Sequence, residues 1–207
     1  MSSLRRMFMR KKHSGRLPYP YQEVEYIETT GTQKVAFSTA PNNFLNGDVI
    51  EHKYMYRTLN SSVVFGSYNN NISPCLWVAA QSSSANKVVC KINSSFLWSS
   101  ASAKANTEYV MKIDNTQSNT RFFMNDAVVS TPKQTVTFTN TYSVISTAQV
   151  FYYHKHTRNG IVLNEYIPCY DKTDPTKHTA GVYDIVNNQF YGNTGTDYFI
   201  VGPDVTV

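Results

Sequence analysis

The chain has 207 residues, of which 41% are hydrophobic, and it carries a formal net charge of +5. This length suits one domain with a short extension, and the apolar share is sufficient for a core. No segment approaches the roughly 20 apolar residues of a transmembrane helix, and no apolar segment of a secretory leader follows the charged start. The cysteines Cys75, Cys90 and Cys169 lack the spacing of a metal site. They predict reduced thiols, with one disulfide and a free thiol as the open alternative.

The positive charge is concentrated at the start of the chain. Residues 1–16 hold six of the 19 Lys and Arg residues and no Asp or Glu, so the rest carries 13 basic and 14 acidic residues, a net −1. We predict an arm and connector over residues 1–20 and a domain over residues 21–207. A basic arm suits nucleic acid, an anionic surface or an acidic protein, and a solvated tail is the open alternative. Because apolar side chains alternate with basic ones, we expect the arm to dock in a groove of another protein rather than on a genome. The predicted docking residues are Leu4, Arg5, Arg6, Met7, Met9, Arg10, Lys11, Lys12 and Arg16.

After the connector, which Pro18 and Pro20 keep extended, the chain shows strand patterns and no helical periodicity. Over Glu23–Glu28 charged residues alternate with apolar ones, and this segment is the first predicted strand. The next predicted strands are Asp48–Tyr56, Ser62–Tyr68, Leu76–Ala80, Lys87–Ile92 and Phe96–Trp98.

Short turns divide the second half of the chain into hairpins. Asn125-Asp126, Asn159-Gly160 and Asn187-Asn188 each separate two strand-like runs, and Asn-Gly is the strongest short-range hairpin signal. The last predicted strands are Val182–Val186, Gln189–Tyr191 and Asp197–Val201. Ten or more short strands without intervening helices predict an all-β, antiparallel two-sheet sandwich.

Two stretches resemble the ends of a jelly-roll domain found in phage virion and phage-like surface proteins. The first is "VEYIETTGTQ", and the second runs from "VLNEYIPCYDKTD" to "GVYDIVNNQFYGNTGTDYFIVGPDV". The resemblance implies a concanavalin A-like, laminin-G-like jelly roll whose N- and C-terminal strands pair in one sheet. It also implies a virion or surface setting, which we take as a virion assembled in the host cytoplasm, but it identifies no ligand. The chain departs from the pattern at Lys34-Val35-Ala36, where an aromatic, Ile and Asp are usual, and at Asp197, where Gly is usual.

Three glutamates, Glu23, Glu25 and Glu28, are spaced like the catalytic strand of laminarinase-type glucanases, which share the expected fold. Retaining hydrolysis needs two carboxyl groups about 5–5.5 Å apart. On a regular strand Glu28 would face away from the other two, and a bulge would be needed to unite them. Alternating Glu is also typical of a polar solvent or interface face, which we take as the prediction. The protein is therefore expected not to be an enzyme.

Metal-binding candidates are weak. His154 and His156 lie on one strand face, but no third ligand is near in sequence, and an exposed hairpin explains the pair equally well. Asp171, Asp174 and Asp184 leave a calcium site conceivable, with Asx turns as the alternative. We expect no cofactor and no metal.

Glycan binding requires exposed aromatic rings beside polar side chains. Trp98, Tyr68 and Asn70 are the candidates, whereas Trp77 is expected in the core.

Our leading hypothesis is a non-enzymatic virion structural protein, either a head decoration protein or a fibre- or tail-associated one, anchored by its arm. The alternatives are a carbohydrate-binding host adhesin and, more remotely, a glycoside hydrolase. The expected partners are other virion proteins (capsid, portal or tail components), in an oligomeric state, with a host surface glycan as a further candidate. Neither a membrane nor nucleic acid is expected as a partner.

Overall fold

A computed structural model describes residues 17–38, 40–59, 63–68, 73–81, 85–125, 127–146 and 148–206. The arm residues 1–16 and Asn70 lie outside them. Within these ranges every regular element is a β-strand, and all strand pairs are antiparallel. No helix in this part of the chain is long and apolar enough to cross a membrane.

The strands form two sheets. The six-stranded sheet has the order β3-β12-β5-β6-β7-β8, and the larger sheet has eleven strands built around β11-β10-β9-β4-β13-β14-β15-β16. The bounds are β1 Tyr21–Glu23, β2 Ile27–Glu28, β3 Val35–Phe37, β4 Asp48–Tyr56, β5 Val63–Ser67, β6 Leu76–Gln81, β7 Lys87–Ile92, β8 Ser95–Ser102, β9 Glu108–Asp114, β10 Asn119–Met124, β11 Ala127–Pro132, β12 Tyr142–Ile145, β13 Gln149–Arg158, β14 Ile161–Asp171, β15 Gly181–Asp184, β16 Gln189–Gly192 and β17 Ile200–Val201.

The core lies between the two sheets and follows from the two-residue repeat of a strand. In β4 each alternate residue from Asp48 to Tyr56 is buried, and Ile50 and Tyr54 join the main apolar cluster. In β6, Leu76 and Val78 face the same cluster. Since successive side chains point to opposite faces, Trp77 and Ala79 of β6 lie on the outer face of the six-stranded sheet.

The two ends of the chain meet in the eleven-stranded sheet. β2 pairs with β17 through Ile200 opposite Glu28 and Val201 opposite Ile27, so the predicted pairing of N- and C-terminal strands is confirmed. The prediction of one continuous strand over Glu23–Glu28 is wrong. The segment bends at Glu25, so that β1 pairs with β14 while β2 pairs with β13. The break lets the opening segment pair with both strands in turn.

Asparagine-led turns form the predicted hairpins. Asn159 and Gly160 have φ values of 49° and 81° between β13 and β14, as a tight hairpin turn requires. Asn125 and Asn188 are also left-handed, with φ of 53° and 54°. Strands β3, β9 and β12 were not predicted. β3 and β12 span only three and four residues, and β9 was missed although Asn106, with φ of 55°, forms a turn just before it.

A small apolar cluster covers part of the outer face of the eleven-stranded sheet. It contains Ile167, Cys169 and Tyr183, and Leu17 and Tyr21 of the connector region pack against it. The Tyr21 ring stacks on Phe190 with centroids 4.9 Å apart. The chain is therefore attached to the domain from Leu17 onward. All three cysteines are buried free thiols.

Candidate functional site

One row of residues crosses all six strands on the outer face of the smaller sheet. The strand registers place these residues side by side, one from each strand: Ala36, Ser143, Gly66, Trp77, Lys91 and Phe96. The row changes character along its length, from small residues at β3, β12 and β5 to large side chains at β6, β7 and β8. The small residues leave a depression beside the large side chains, and this depression forms a groove on the outer face of the sheet.

This groove has a volume of about 630 Å³, and its lining includes Val63, Gly66 and Ser143. Gly66 is required by the backbone. Its φ is +114°, and a Cβ atom there would lie 2.2 Å from the Leu76 carbonyl oxygen. The floor of the groove is formed by β5 and β12. Both strands contain a register shift, between Val63 and Phe65 in β5 and between Ser143 and Ile145 in β12. Such irregularities are frequent beside functional sites.

Two turns that are far apart in sequence form one rim of the groove. The Thr194 amide donates to the Lys34 carbonyl at 2.8 Å, and the Lys34 amide donates to Asn193 Oδ1 at 3.0 Å. Gly195 approaches so closely that a Cβ atom would lie 2.0 Å from the Thr32 carbonyl oxygen. The "TTGTQ" and "NTGT" segments that carry the sequence resemblance are therefore one structural unit.

Asp197 stands where the resembled pattern usually has Gly, and its backbone conformation shows how the turn accommodates it. Asp197 has φ of 58°, a left-handed conformation that glycine adopts freely and that Asp tolerates better than most residues. Its carbonyl accepts a hydrogen bond from Asn193 Nδ2 at 2.7 Å, and its Oδ2 accepts one from Thr32 Oγ1 at 3.0 Å. The turn therefore keeps its shape without the usual glycine.

Polar hydroxyl groups and one aromatic ring line the groove. Tyr68 is 49% exposed, and its ring meets the Trp77 ring edge-on at 5.7 Å, which fixes its orientation. Lys34 is the cationic residue of the lining. The hydroxyl side chains are Thr32, Thr141, Ser143, Ser146, Thr194 and Thr196. Sequence reasoning identified Tyr68 but missed Lys34 and the hydroxyls, whose signal was the clustering of Gly and Thr in the two end motifs.

The second aromatic candidate lies elsewhere on the same face. Trp98 is 36% exposed on β8, where its ring runs nearly parallel to that of Phe96 at a centroid distance of 6.4 Å. Because β8 is three strands away from β5, the pair lies roughly 14 Å from the groove floor. The structure thus separates Trp98 from Tyr68, while Trp77 is only 3% exposed, as predicted.

The three glutamates have three different surroundings. Glu23 is 4% exposed and lies opposite Cys169 of β14, so the prediction of a polar outer face is wrong for it. Glu25 is exposed at the bend. Glu28 binds Arg57 through two hydrogen bonds, from Nε at 2.9 Å and Nη2 at 2.6 Å. None of the three lines the groove.

His52, His154 and His156 lie in the interior, which corrects the interpretation of His154 and His156 as residues of an exposed hairpin. His154 and His156 are 2% and 6% exposed, and β4 brings His52 opposite His154. His52 Nδ1 lies 3.1 Å from His154 Nδ1, and His52 Nε2 lies 3.3 Å from Gln149 Oε1. Since Gln149 offers an acceptor there, His52 carries its proton on Nε2 and accepts a hydrogen bond from His154 at Nδ1. Burial lowers the pKa of His52 to about 3 and that of His154 well below its usual range, so both rings are neutral.

The aspartates considered for calcium serve the turns in which they lie. Asp171 Oδ1 accepts from the Thr173 amide at 2.8 Å, and Asp174 Oδ2 accepts from the Thr179 amide at 2.9 Å. Asp184 is fully buried and accepts from Asn164 Nδ2 at 2.7 Å. Within the described ranges no three His, Cys, Asp or Glu side chains come together as a metal site.

Fold and groove together define the class: a two-sheet antiparallel jelly-roll domain with a polar groove on the outside of its smaller sheet. The solved structures include two of similar fold. The mouse laminin α1 chain, domains LG4-5, matches at 8% identity and a TM-score of 0.51, over 87% of this chain and 46% of that chain. This chain therefore spans about half the length of that structure. The native heptameric SAP-like pentraxin from Limulus polyphemus matches at 10% identity and a TM-score of 0.48, over 88% of this chain and 95% of that one.

The other two comparisons gave no match. No protein-family model matches the sequence, and no curated protein matches it. At 8% identity the laminin match supports the fold alone, and it confirms the predicted jelly roll.

Proposed function

We propose that the domain is a non-enzymatic carbohydrate-binding module and that the groove on the six-stranded sheet is its binding site. One observation carries the proposal: an exposed, oriented tyrosine ring stands beside a floor of small residues and a rim of hydroxyl groups. A pyranose ring presents C–H groups on its faces and hydroxyls on its edges. Tyr68 supplies a flat apolar surface for the first, and the Ser and Thr side chains supply donors and acceptors for the second.

The composition of the groove argues against other ligands. A protein-binding groove would be expected to bury apolar anchors, whereas six lining side chains here carry hydroxyls. A nucleic-acid surface would need a row of cations, and Lys34 is the cation in this lining. The glycosidase alternative is disfavoured, because Glu28 is held by Arg57 and Glu23 is buried beside β14.

A glycan array followed by calorimetry tests the site. Ser143→Trp should fill the groove, and Tyr68→Ala should remove the stacking ring. Each should weaken binding to the array hits about tenfold or more, which corresponds to about 1.4 kcal/mol. Ser130→Trp is the matched control, since Ser130 is exposed on β11 of the other sheet. Wild-type protein that binds no glycan, or Ser143→Trp protein that binds as wild type does, would overturn the proposal.

A second proposal concerns attachment. We propose that the chain is a virion structural component, either a head decoration or a fibre- or tail-associated protein, anchored through its N-terminal arm. The supporting observation is the separation of charge: residues 1–16 carry six cations, and the remainder is near neutral. Leu17 packs against the apolar cluster formed by Ile167 and its neighbours, so the arm would leave the domain from a fixed point.

Deleting residues 1–16 tests the anchor. The truncated protein should keep its circular dichroism spectrum and unfolding temperature, because it retains Leu17 and Tyr21. It should also keep its glycan binding and lose its incorporation into particles. Normal incorporation of the truncated protein would show that the domain itself, rather than the arm, is the anchor.

A further inference from the structure

The charge of the groove narrows the class of glycan. Among the residues that the structure describes, the lining contains Lys34 and no Asp or Glu. Ionised carboxylates accept hydrogen bonds only, so a site for a neutral sugar gains from them by accepting its hydroxyl protons. This lining offers an ammonium and hydroxyl groups instead. The ammonium only donates hydrogen bonds and the hydroxyls can donate as well as accept, so this lining suits a ligand rich in negatively charged acceptors.

Lys34 is positioned for a ligand rather than for a partner within the domain. Its amide and carbonyl are fixed by Asn193 and Thr194, and its side chain is exposed. Among the described residues, no carboxylate forms an ion pair with its ammonium. Three other lysines of the domain have such partners, at 2.7, 3.4 and 3.0 Å: Lys53 with Glu108, Lys155 with Glu165, and Lys177 with Asp204; Lys104, like Lys34, has none in the described part of the chain.

We infer that the groove selects an acidic glycan, one whose sugar carries a carboxylate, and that Lys34 pairs with that carboxylate. The inference rests on the proposed glycan-binding function. The carboxylate would bind at the rim, where Lys34 lies beside Thr194 and Thr196. The sugar ring would extend over the floor toward Tyr68.

A nearby acid acts against the same ligand. Asp197 is exposed next to the rim and accepts a hydrogen bond from Thr32, although it does not line the groove. Its charge repels an anionic sugar. Removing it should therefore strengthen binding, which gives a variant of opposite sign to the loss of Lys34. Asn can replace it, since Asn also tolerates the left-handed backbone found there.

Calorimetry with matched ligand pairs tests the inference. The probes are tetragalacturonate and 3′-sialyllactose, each compared with the same glycan after its carboxylates are reduced to alcohols, and 3′-sulfolactose, which carries a sulfate and no carboxylate, serves as the sulfate arm. Wild-type protein should bind at least one acidic probe about fivefold to tenfold more tightly than its reduced form. The advantage should shrink as salt rises to about 0.5 M, where the screening length falls to roughly 4 Å.

The variants identify the residue responsible. Lys34→Gln should remove most of the acidic preference, because it should weaken binding of the acidic form more than binding of the reduced form, whereas Asp197→Asn should increase the preference. Lys104→Gln is the matched control, because Lys104 is exposed, does not line the groove and changes the net charge equally.

Each outcome has a separate meaning. Equal binding of acidic and reduced forms, or an acidic preference that survives Lys34→Gln, overturns the acidic-glycan inference alone. Tighter binding of the sulfated probe than of either carboxylate probe overturns the assignment to a carboxylate. Absence of binding to these probes, together with an array that yields no hit of any kind, overturns the glycan-binding proposal itself, whereas array hits that are all neutral overturn the acidic-glycan inference alone.

Discussion

Polar side chains are concentrated in two regions that satisfy them in opposite ways. Between the sheets, Asp48, His52 and Gln149 are fully buried, and each forms hydrogen bonds with neighbours in the domain. In the groove, the side chains of Thr194 and Thr196 are exposed, and Ser143 is partly exposed. The first set stabilises the fold, because buried polar groups are costly unless paired. The second set remains open to a ligand.

The comparison teaches that burial and partners, rather than residue type, separate structural from functional polar groups. Histidines and carboxylates, which are the usual candidates for chemistry, here belong to the interior network. Serine and threonine, which drew little attention in the sequence, line the groove. Changes in the network should therefore alter stability without altering binding, and changes in the groove should do the reverse.

The largest expected effect comes from breaking the buried ion pair in the network. Arg158 binds Asp48 through Nε at 2.7 Å and Nη2 at 3.0 Å, and Asp48 is fully buried. Burial alone would raise the pKa of Asp48, but hydrogen bonds from His156 and Arg158 outweigh it and lower the pKa. Arg158→Leu should cost about 3 kcal/mol of unfolding free energy in urea titrations, because it leaves a buried carboxylate without its main partner.

The exposed pair of Lys177 and Asp204 is the control for that change, with side chains about 40% exposed. Lys177→Met should cost less than about 1 kcal/mol. Both proteins should bind glycan as wild type does. Equal destabilisation by the two changes would contradict the distinction between the buried network and the surface.

Acid should weaken the network through its neutral histidines. The folded pKa values of His52 and His154 lie below the unfolded value of about 6.5, because burial disfavours their charged forms. The unfolded state therefore takes up protons first, and stability should fall as the pH drops below about 6.5. Two such histidines should cost about 2.5 kcal/mol between about pH 7 and pH 5.5.

Unfolding titrations across that pH range measure this loss. His178, which is exposed and stacked on Tyr198, provides the control. His178→Gln should leave the pH profile unchanged. A wild-type stability that stays level down to about pH 5.5 would contradict the assignment of two neutral buried rings.

A smaller loss of unfolding free energy is expected from a change at Glu28, one of the glutamates whose spacing resembles a catalytic strand. Glu28→Gln weakens the paired hydrogen bonds from Arg57 and should cost about 1 kcal/mol. Reducing-sugar assays on the array hits should show no hydrolysis by wild-type or variant protein. Wild-type hydrolysis that disappears with Glu28→Gln would revive the glycosidase alternative.

The sequence predicted most of the fold because its signals are local. Strand periodicity predicted β4 and β7 with their exact bounds, and Asn159-Gly160 predicted the hairpin between β13 and β14. It failed where the outcome depends on partners. The break between β1 and β2 arises because one segment pairs with β14 and then with β13, and no local residue pattern records that exchange.

The site was predicted only in part, for the same reason. Tyr68 was identified by residue type, but the rim depends on contacts between Lys34 and Thr194, which lie 160 residues apart. The two histidines of "HKH" read as surface residues because burial against β4 is not visible in their own segment. Residue type alone also grouped Trp98 with Tyr68, although Trp98 lies on β8, three strands away from β5.

Amide NMR titration with the strongest array hit tests the central claim most directly, because it reports the bound surface residue by residue. The account predicts that the largest shifts fall on Gly66, Ser143 and the Thr194–Thr196 turn, and that the amides of His52 and His154 stay unchanged. The largest shifts at Phe96 and Trp98, with the groove amides unmoved, would place the binding site on the β8 aromatic pair and contradict the account.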